Sequence, residues 1–501
     1  MLKLLRRIVA LVFFLCITFL LLDVSGVAHR FLGWMARIQL LPAVMALNFG
    51  VIAFLVVLTL VFGRVYCSVI CPLGVFQDGI SRLGNIGRKQ PYRYRKELKW
   101  LRYGIWVLFV IALVAGLQCL VAFLAPYSAY GRMVESLLQP VWLWGNNLLA
   151  SISQRAGSYA FYSREVWLRS LPTLIVAAVT LVVLVVLAWR GGRTYCNAVC
   201  PVGTTLSFFS RFALLRPVID ASKCRNCRKC EHGCKAQCID IDSHSIDYSR
   251  CVDCFNCIGE CKFDALSYRP VWGRKKASPK ASEGYKEGEA PQADDSLRAS
   301  RRAFLGATAL FAGTSALKAQ SAKKVDGGFA QLLPKQAPSR EVPLTPPGSA
   351  SVKDFYRRCT ACQLCVAQCP NNVLRPSSDP EHFMQPCMSY ERGFCRPECT
   401  RCSQLCPSGA IKPIGKEEKT QYRIGVAQID RDLCLQSRGE GPCGKCVQAC
   451  PSGAVSFVNK DGVRIPVVAE EVCIGCGACE YLCPVRPISA ITVNGRNTHL
   501  L

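Results

Sequence analysis

Hydrophobic residues in the first 190 positions gather into four runs, Leu4–Leu22, Leu40–Phe62, Leu101–Leu124 and Leu171–Trp189, parted by polar and basic stretches. Each run is near the ~20 residues that a helix needs to cross a bilayer, and its charges are confined to the first turn. Four membrane helices are therefore expected. Nine Lys and Arg residues lie between Arg64 and Arg102. The positive-inside rule puts that loop in the cytoplasm, with the N-terminus (Lys3, Arg6, Arg7) and the exit of the fourth run (Arg190, Arg193). The stretch 126–170 then lies outside.

Farther along, the pattern weakens. Gly273–Leu297 is rich in Lys, Ser, Glu, Gly and Pro, and Lys323–Val352 is polar and Pro-rich, so both read as linkers. Between them stands a moderately apolar segment, "SRRAFLGATALFAGTSALKAQSA", Ser300–Ala322. Arg301-Arg302 with Phe304 and Leu305 fits a twin-arginine export signal, and no clean A-x-A cleavage site follows. A retained fifth anchor is expected, against the plainer reading of a basic linker before a short core helix. With the fourth run ending inside, export would carry the C-terminal block to the periplasm.

The chain has 501 residues, 32 cysteines, five histidines and a formal net charge of +27. The basic residues sit beside apolar runs, where they act as topology signals, so nucleic acid is not the expected partner. The cysteines are grouped at short, regular spacings, which points to metal rather than disulfides. "GRVYCSVICPLG" (63–74) and "GRTYCNAVCPVG" (192–203) follow the second and fourth runs, and Ser81-Arg82 recurs as Ser210-Arg211. Two helix hairpins thus look like copies of one unit, with Cys67, Cys71, Cys196 and Cys200 facing one another at the cytoplasmic surface. Four converging thiolates are a soft-metal site, for a seventh cubane; a redox-active thiol cluster is the alternative. Cys16 and Cys119, alone inside helices, read as small buried hydrophobes.

Cys224, Cys227, Cys230 and Cys234 are followed by Cys251, Cys254, Cys257 and Cys261, the spacing of a bacterial two-cluster ferredoxin. In that arrangement the fourth thiolate crosses over. One [4Fe-4S] cluster is assigned to Cys224, Cys227, Cys230 and Cys261, the other to Cys251, Cys254, Cys257 and Cys234. Lys235 and Lys262 replace the proline usual after the fourth cysteine. Cys238 stands where later motifs have Ala265 and Ala410, and reads as a packed side chain. Four further sets follow: Cys359, Cys362, Cys365 and Cys369; Cys395, Cys399, Cys402 and Cys406; Cys434, Cys443, Cys446 and Cys450; Cys473, Cys476, Cys479 and Cys483. Each ends in Cys-Pro, two with lengthened gaps. Six clusters are expected in all. Cys387 fits no set.

The four runs, the paired CxxxCP motifs and the trailing ferredoxin resemble the NapH-type membrane ferredoxins across about residues 1–270. The nitrous-oxide reductase regulator NosR and the oxidase-assembly protein CcoG are relatives of that type. From about residue 298, the twin arginines and four motifs resemble the NapG/MauM ferredoxins, with "CRPECTRCSQLCP" departing in spacing. The resemblance to four-cluster subunits implies that outer sets pair with each other and inner sets likewise: Cys359, Cys362, Cys365 with Cys483; Cys473, Cys476, Cys479 with Cys369; Cys395, Cys399, Cys402 with Cys450; Cys434, Cys443, Cys446 with Cys406.

The expected fold is an α-helical membrane domain (1–215) and two α+β ferredoxin-like iron–sulfur domains. The first spans 216–270, in the cytoplasm. A linker (271–298), the anchor (299–322) and a second linker (323–352) lead to the four-cluster domain (353–501). No CxxC is followed by His, the apolar runs hold no histidine for haem, and no Rossmann or phosphate-loop glycine pattern is present. The resemblance implies a bacterial inner-membrane polyferredoxin carrying electrons between the quinone pool and a periplasmic or membrane-bound reductase or cytochrome. An iron–sulfur redox sensor or metal-handling assembly factor, with copper at the CxxxCP thiols, is the alternative class.

Overall fold

The computed structural model describes residues 2–23, 26–86, 92–159, 161–271, 325–326, 330–331, 333–460 and 463–500. It divides into two compact units, residues 1–270 with 334–501, and residues 271–333. In the second, Val325–Asp326 pairs antiparallel with Ala330–Gln331. The segment 299–322 and the linker 272–298 lie outside the described residues.

The larger unit begins with α1 (Leu2–Leu22), α2 (Ala28–Arg37), α3 (Leu40–Met45), α4 (Phe49–Phe62), α5 (Val65–Val69) and α6 (Pro72–Gly84). After the basic loop come α7 (Lys99–Ala115), α8 (Gln118–Leu124), α9 (Pro126–Met133), a π-helical turn at Val134–Leu138, α10 (Gln139–Arg155), α11 (Leu171–Gly191), α12 (Thr194–Ala198) and α13 (Pro201–Ser210). Of the four expected spans, α1 and α11 are long and apolar enough to cross a membrane. The other two runs are broken helices. The second breaks after α3, where Leu47 turns left-handed (φ 52°) and the Asn48 side chain caps α4 by accepting from Val51 N at 3.2 Å. The third breaks at Gly116, whose φ of 78° is the left-handed C-terminal stop that glycine makes easily.

The stretch 126–170 is largely helical rather than a plain loop. Ala125, held extended by the following proline, ends α8, and Pro126 opens α9 at its first turn. Every residue of α9 is buried, and it packs among α6, α8 and α11. Large apolar side chains such as Leu4, Leu15, Phe54, Ile111, Val114 and Val179 stay exposed on the outward faces of α1, α4, α7 and α11.

The first ferredoxin block is closed by antiparallel pairing of β1 (Leu215–Ile219) with β4 (Leu266–Pro270), and β2 (Ile239–Asp240) pairs with β3 (Ser245–Ile246). In the C-terminal block, Arg423–Ile429 pairs with Ile491–Leu500, and Val455–Lys460 with Val463–Val468. The regular cysteine triplets share one backbone device. Residues two and four after the first cysteine are left-handed in each: Asn226 and Arg228, Asp253 and Phe255, Ala361 and Gln363, Gly475 and Gly477. This winding turns three successive thiols toward one centre. The two sets with lengthened gaps lack that pair of conformations.

His499, at the end of the C-terminal ladder, is buried with Nε2 3.1 Å from Thr345 Oγ1. Burial disfavours its cation and lowers its pKa to about 4. The unfolded chain binds the proton first, so stability should fall as pH drops from about 6.5 to about 4, by roughly 3 kcal/mol at most. Thermal midpoints of the full protein at pH 7 and pH 4.5 should differ more than those of His499→Asn; an equal difference would remove this histidine from the acid response.

Candidate functional site

The two repeated motifs fold alike. Gly63 (φ 74°) and Gly192 (φ 63°) end α4 and α11, and each is followed by an arginine and a five-residue helix carrying one thiol, Cys67 in α5 and Cys196 in α12. Cys71 and Cys200 then sit at the N-caps of α6 and α13, with Pro72 and Pro201 in the first turn. The paired thiols therefore do not share one helix face. They converge because the chain turns between them and the second thiol starts a new helix, where the helix dipole favours a thiolate. Gly203 N donates to Cys200 Sγ at 3.4 Å, and Gly74 N–H faces Cys71 Sγ in the matching place.

All four thiols are buried and act electrostatically on one another. The two motif arginines cross between the repeats. Arg64 Nη2 donates to Cys196 O at 3.3 Å and lies 3.8 Å from Cys67 Sγ; Arg193 Nη1 donates to Cys67 O at 2.7 Å and lies 3.7 Å from Cys196 Sγ. The glycine of each CPxG makes room for this. A Cβ on Gly74 would collide with Cys67 O and Arg193, and one on Gly203 would stand 2.5 Å from Cys196 O and 2.6 Å from Arg64. Gln77 Nε2 adds a donor 3.4 Å from Cys196 Sγ. Two guanidiniums, two helix N-termini and an amide thus compensate four sulfurs, a fit for a soft-metal thiolate centre. Among the described residues no three Cys, His, Asp or Glu side chains stand close enough to hold one metal ion.

Asp78 anchors the arrangement. It accepts from Arg193 Nε at 2.6 Å and pairs with Arg6 at 3.1 Å and Lys235 at 2.5 Å, and these three cations hold its carboxyl far below the usual range. Its partner position in the second repeat is Ser207, so the repeats are not equivalent here. On that side Arg64 Nη1 is held by Asn197 Oδ1 (2.9 Å) and Ser249 O (3.0 Å).

The first ferredoxin block sits directly on this centre. Arg64 N donates to Asp253 Oδ2 at 2.9 Å, Arg193 N to Lys235 O at 2.9 Å and Asn197 Nδ2 to Ala236 O at 3.2 Å. Lys235, noted in the sequence only as a missing proline, is the block's ion-pair anchor. Within the block, Cys224, Cys227, Cys230 and Cys261 line one cavity, and Cys234, Cys251, Cys254 and Cys257 line another. Cys238 also lines the second, with its Sγ 3.6 Å from Cys234 Sγ.

The C-terminal sets group differently from the expectation. Cys359, Cys362 and Cys365 surround Cys406, while Cys395 and Cys402 neighbour Cys399 and Cys369. Cys473, Cys476 and Cys479 neighbour Cys450, and Cys434, Cys443 and Cys446 share a cavity with Cys483. Consecutive sets therefore pair, first with second and third with fourth, instead of outer with outer and inner with inner. The reason is local: each fourth thiolate crosses within one compact two-cluster unit, as in the first block. Cys387 lies in the strand Pro386–Met388, opposite Arg375. Cys119 packs with Ala122, Ala361 and Met384.

This block packs on the far end of the helical domain. Gln368 Nε2 donates to Leu20 O at 2.6 Å, Gln139 Nε2 to Ala367 O at 3.0 Å and Arg37 Nη2 to Gln404 O at 2.8 Å. A Cβ on Gly131 would collide with Cys362 O. The four-thiol centre contacts α1 near its start, where Arg6 Nη1 donates to Ser68 O at 3.2 Å. From Arg6 to Leu20 the helix rises about 20 Å at 1.5 Å per residue. Between the two levels stands the buried Arg132, which donates to Ala122 O at 2.8 Å and has both Tyr195 and Cys362 within electrostatic reach.

Cysteine triplets wound onto cavities, with crossing fourth thiols, define an iron–sulfur electron carrier of ferredoxin type. The 4Fe-4S binding domain family matches residues 44–91 and 172–219, the two hairpins with the CxxxCP thiols, and the 4Fe-4S dicluster domain families match 394–454 and 427–493. The chain is 36% identical over 165 residues to the methylamine utilization ferredoxin-type protein MauM of Methylobacillus flagellatus, covering 31% of this chain and 70% of that one. It is 28% identical over 148 residues to the ferredoxin-type protein NapF of Escherichia coli, covering 29% of this chain and 84% of NapF. With NapG of the same organism it shares 29% over 159 residues, 28% of this chain and 66% of NapG. No solved structure matches. The chain belongs to the MauM-like ferredoxin-type proteins, and multiple [4Fe-4S] clusters are its cofactors.

Two expectations follow. Replacing Asp78 by Asn leaves three buried cations short of their counter-charge and should destabilise the domain by about 3–5 kcal/mol; an unchanged thermal midpoint of the purified protein would contradict that role. Cys359→Ser and Cys406→Ser should each disturb the same electron paramagnetic resonance signal, while Cys483→Ser disturbs a different one. Loss of one common signal in Cys359→Ser and Cys483→Ser would restore the outer pairing.

Proposed function

We propose that this chain is a membrane-bound polyferredoxin that passes electrons between the quinone pool and a reductase or cytochrome on the opposite face of a bacterial inner membrane. The observation that carries the reading is the stacking along α1. One ferredoxin block packs at its start with the four-thiol centre beside it, and the other packs at its end, with the buried Arg132 between the two levels. From that centre to the level where the C-terminal block docks, α1 rises about 20 Å, less than the ~30 Å of hydrocarbon in a bilayer. The apolar outward faces of α1, α4, α7 and α11 suit lipid, and the basic loop suits a cytoplasmic first block. The C-terminal block would then face the periplasm, which agrees with a twin-arginine route for residues 299–322.

When bound, iron–sulfur clusters supply one-electron redox chemistry. The chain's own contribution is to hold thiolates, exclude water and aim N–H donors at sulfur, which raises a cluster's potential by stabilising its reduced form. At the four-thiol centre those donors are Arg64, Arg193, Gln77 and the Gly203 amide. We read that centre as a seventh cluster site joining the two blocks.

Iron content and spectra of a Cys71→Ser variant test it. The variant should lose one cluster's worth of iron with both ferredoxin blocks retained. Electron equilibration between the blocks, followed after rapid mixing with a reductant, should slow more than tenfold. Parental iron content, or copper in place of iron, would sink the relay and favour metal handling.

A further inference from the structure

Between α1, α6 and the first ferredoxin block lies a cavity of about 550 Å³, of the size that small ligands occupy. Each helix gives it one face. Lys3, Arg7, Ala10 and Leu11 recur at helical spacing along α1, as do Val75, Asp78, Gly79 and Arg82 along α6. Gly79 keeps the middle of the α6 face open, since a Cβ there would meet nothing within 4 Å. The third side belongs to the ferredoxin block, through His232, Lys235, Asn256 and Glu260.

The charges around this cavity do not cancel. Five cations line it, Lys3, Arg6, Arg7, Arg82 and Lys235, against two carboxylates, Asp78 and Glu260. Asp78 is already taken by Arg6, Lys235 and Arg193, and Glu260 pairs with Lys3 at 3.3 Å. Arg7 and Arg82 have no carboxylate within ion-pair distance among the described residues. Both can be reached, Arg82 being exposed and Arg7 half-buried. A guanidinium is permanently charged and presents its donors in a fork that matches phosphate oxygens. The cavity is amphipathic as well. Ala10, Leu11, Val75 and Ile86 give it an apolar wall, and Leu11 belongs to the exposed apolar face of α1 with Leu4, Ile8 and Leu15. An anion by itself would use the arginines and not that wall, and a neutral head group gains nothing from the two charges.

We propose that this cavity binds the phosphate head group of an anionic phospholipid, held by Arg7 and Arg82, with the acyl chains leaving along the apolar face of α1. Basic pockets at the cytoplasmic ends of membrane helices suit such head groups. The site rests on the reading of the chain as membrane-bound with its first block in the cytoplasm, where the cavity would meet the inner leaflet. One of its three sides is the ferredoxin block, so the cavity is complete only when that block is docked. A bound lipid therefore stabilises the docked arrangement by mass action.

Full-length protein, stripped of lipid in a nonionic detergent, is titrated with phosphatidylglycerol and followed by native mass spectrometry and by its thermal midpoint. Saturable retention of phosphatidylglycerol and a raised midpoint are expected. Phosphatidylcholine and inorganic phosphate at the same concentration should give neither. Arg7→Gln combined with Arg82→Gln should weaken retention at least tenfold at unchanged iron content. Gly79→Leu, which fills the open middle of the cavity and removes no charge, should do the same. Lys96→Gln combined with Lys99→Gln removes equal charge from exposed positions that do not line the cavity, and should change retention less than twofold. Equal losses in the arginine and lysine variants, or insensitivity to Gly79→Leu, overturn the site. An equal rise of the midpoint with inorganic phosphate overturns the lipid as its ligand, and an equal rise with phosphatidylcholine overturns the role of the arginines. Washing bacterial membranes with alkaline carbonate separates the site from the reading beneath it. Protein that stays in the membrane yet holds phosphatidylglycerol no tighter than the double arginine variant removes the site and leaves the membrane reading. Protein released by carbonate removes both.

Discussion

Two arginines crossing between two copies of one motif hold the centre of this protein together. Arg64 reaches the carbonyl of Cys196 and Arg193 that of Cys67, while each guanidinium also faces the sulfur of its own repeat. A guanidinium is planar, permanently charged and rich in donors, so it can satisfy a carbonyl of one repeat and a thiolate of the other at once. The exchange makes the two hairpins interdependent. The glycines at positions 74 and 203 exist to let the guanidiniums through, which explains why the motif reads CPxG in both copies.

Buried cations of this kind are costly unless paired, and the pairing is asymmetric. Asp78 takes Arg193, Arg6 and Lys235 together, and so ties the second repeat, the first helix and the ferredoxin block to one carboxylate. Arg64 relies instead on Asn197 and a ferredoxin carbonyl. Electrostatic satisfaction of the thiol centre and docking of the first ferredoxin block are therefore one event. The same logic accounts for Lys235, whose carbonyl and ammonium both serve the interface where a proline could offer only the carbonyl.

At the other end the interface is made largely by backbone carbonyls and small residues. Gly131 gives way to Cys362 O, and Gln139, Gln368 and Arg37 each donate to a carbonyl. α9 makes this possible, since it is buried on all sides and brings Tyr130 to within 2.6 Å of Thr18 on α1. Within the stretch expected to lie outside, α9 is thus an inserted helix, which the Ala125–Pro126 break in the chain turns inward.

The chemistry was legible in the sequence because thiolate spacing is set by local backbone geometry. A CxxCxxC loop can wind only one way round a cluster, and left-handed residues at fixed places do it in all four regular sets. The repeat of GRxYCxxxCPxG was equally plain. What local pattern did not carry was which motif meets which. The outer-with-outer pairing expected of the last four sets gave way to pairing of neighbours, because a crossing ligand is chosen by the packing of whole two-cluster units. Hydropathy likewise marked four apolar runs but not the breaks at Leu47 and Gly116, since a window average does not register one left-handed residue. Sequence alone marked out the candidate thiols, through short-range covalent spacing. Tertiary structure decided the order in which they stand, because Arg64, Arg193 and Asp78 are joined only when segments more than a hundred residues apart are brought into contact.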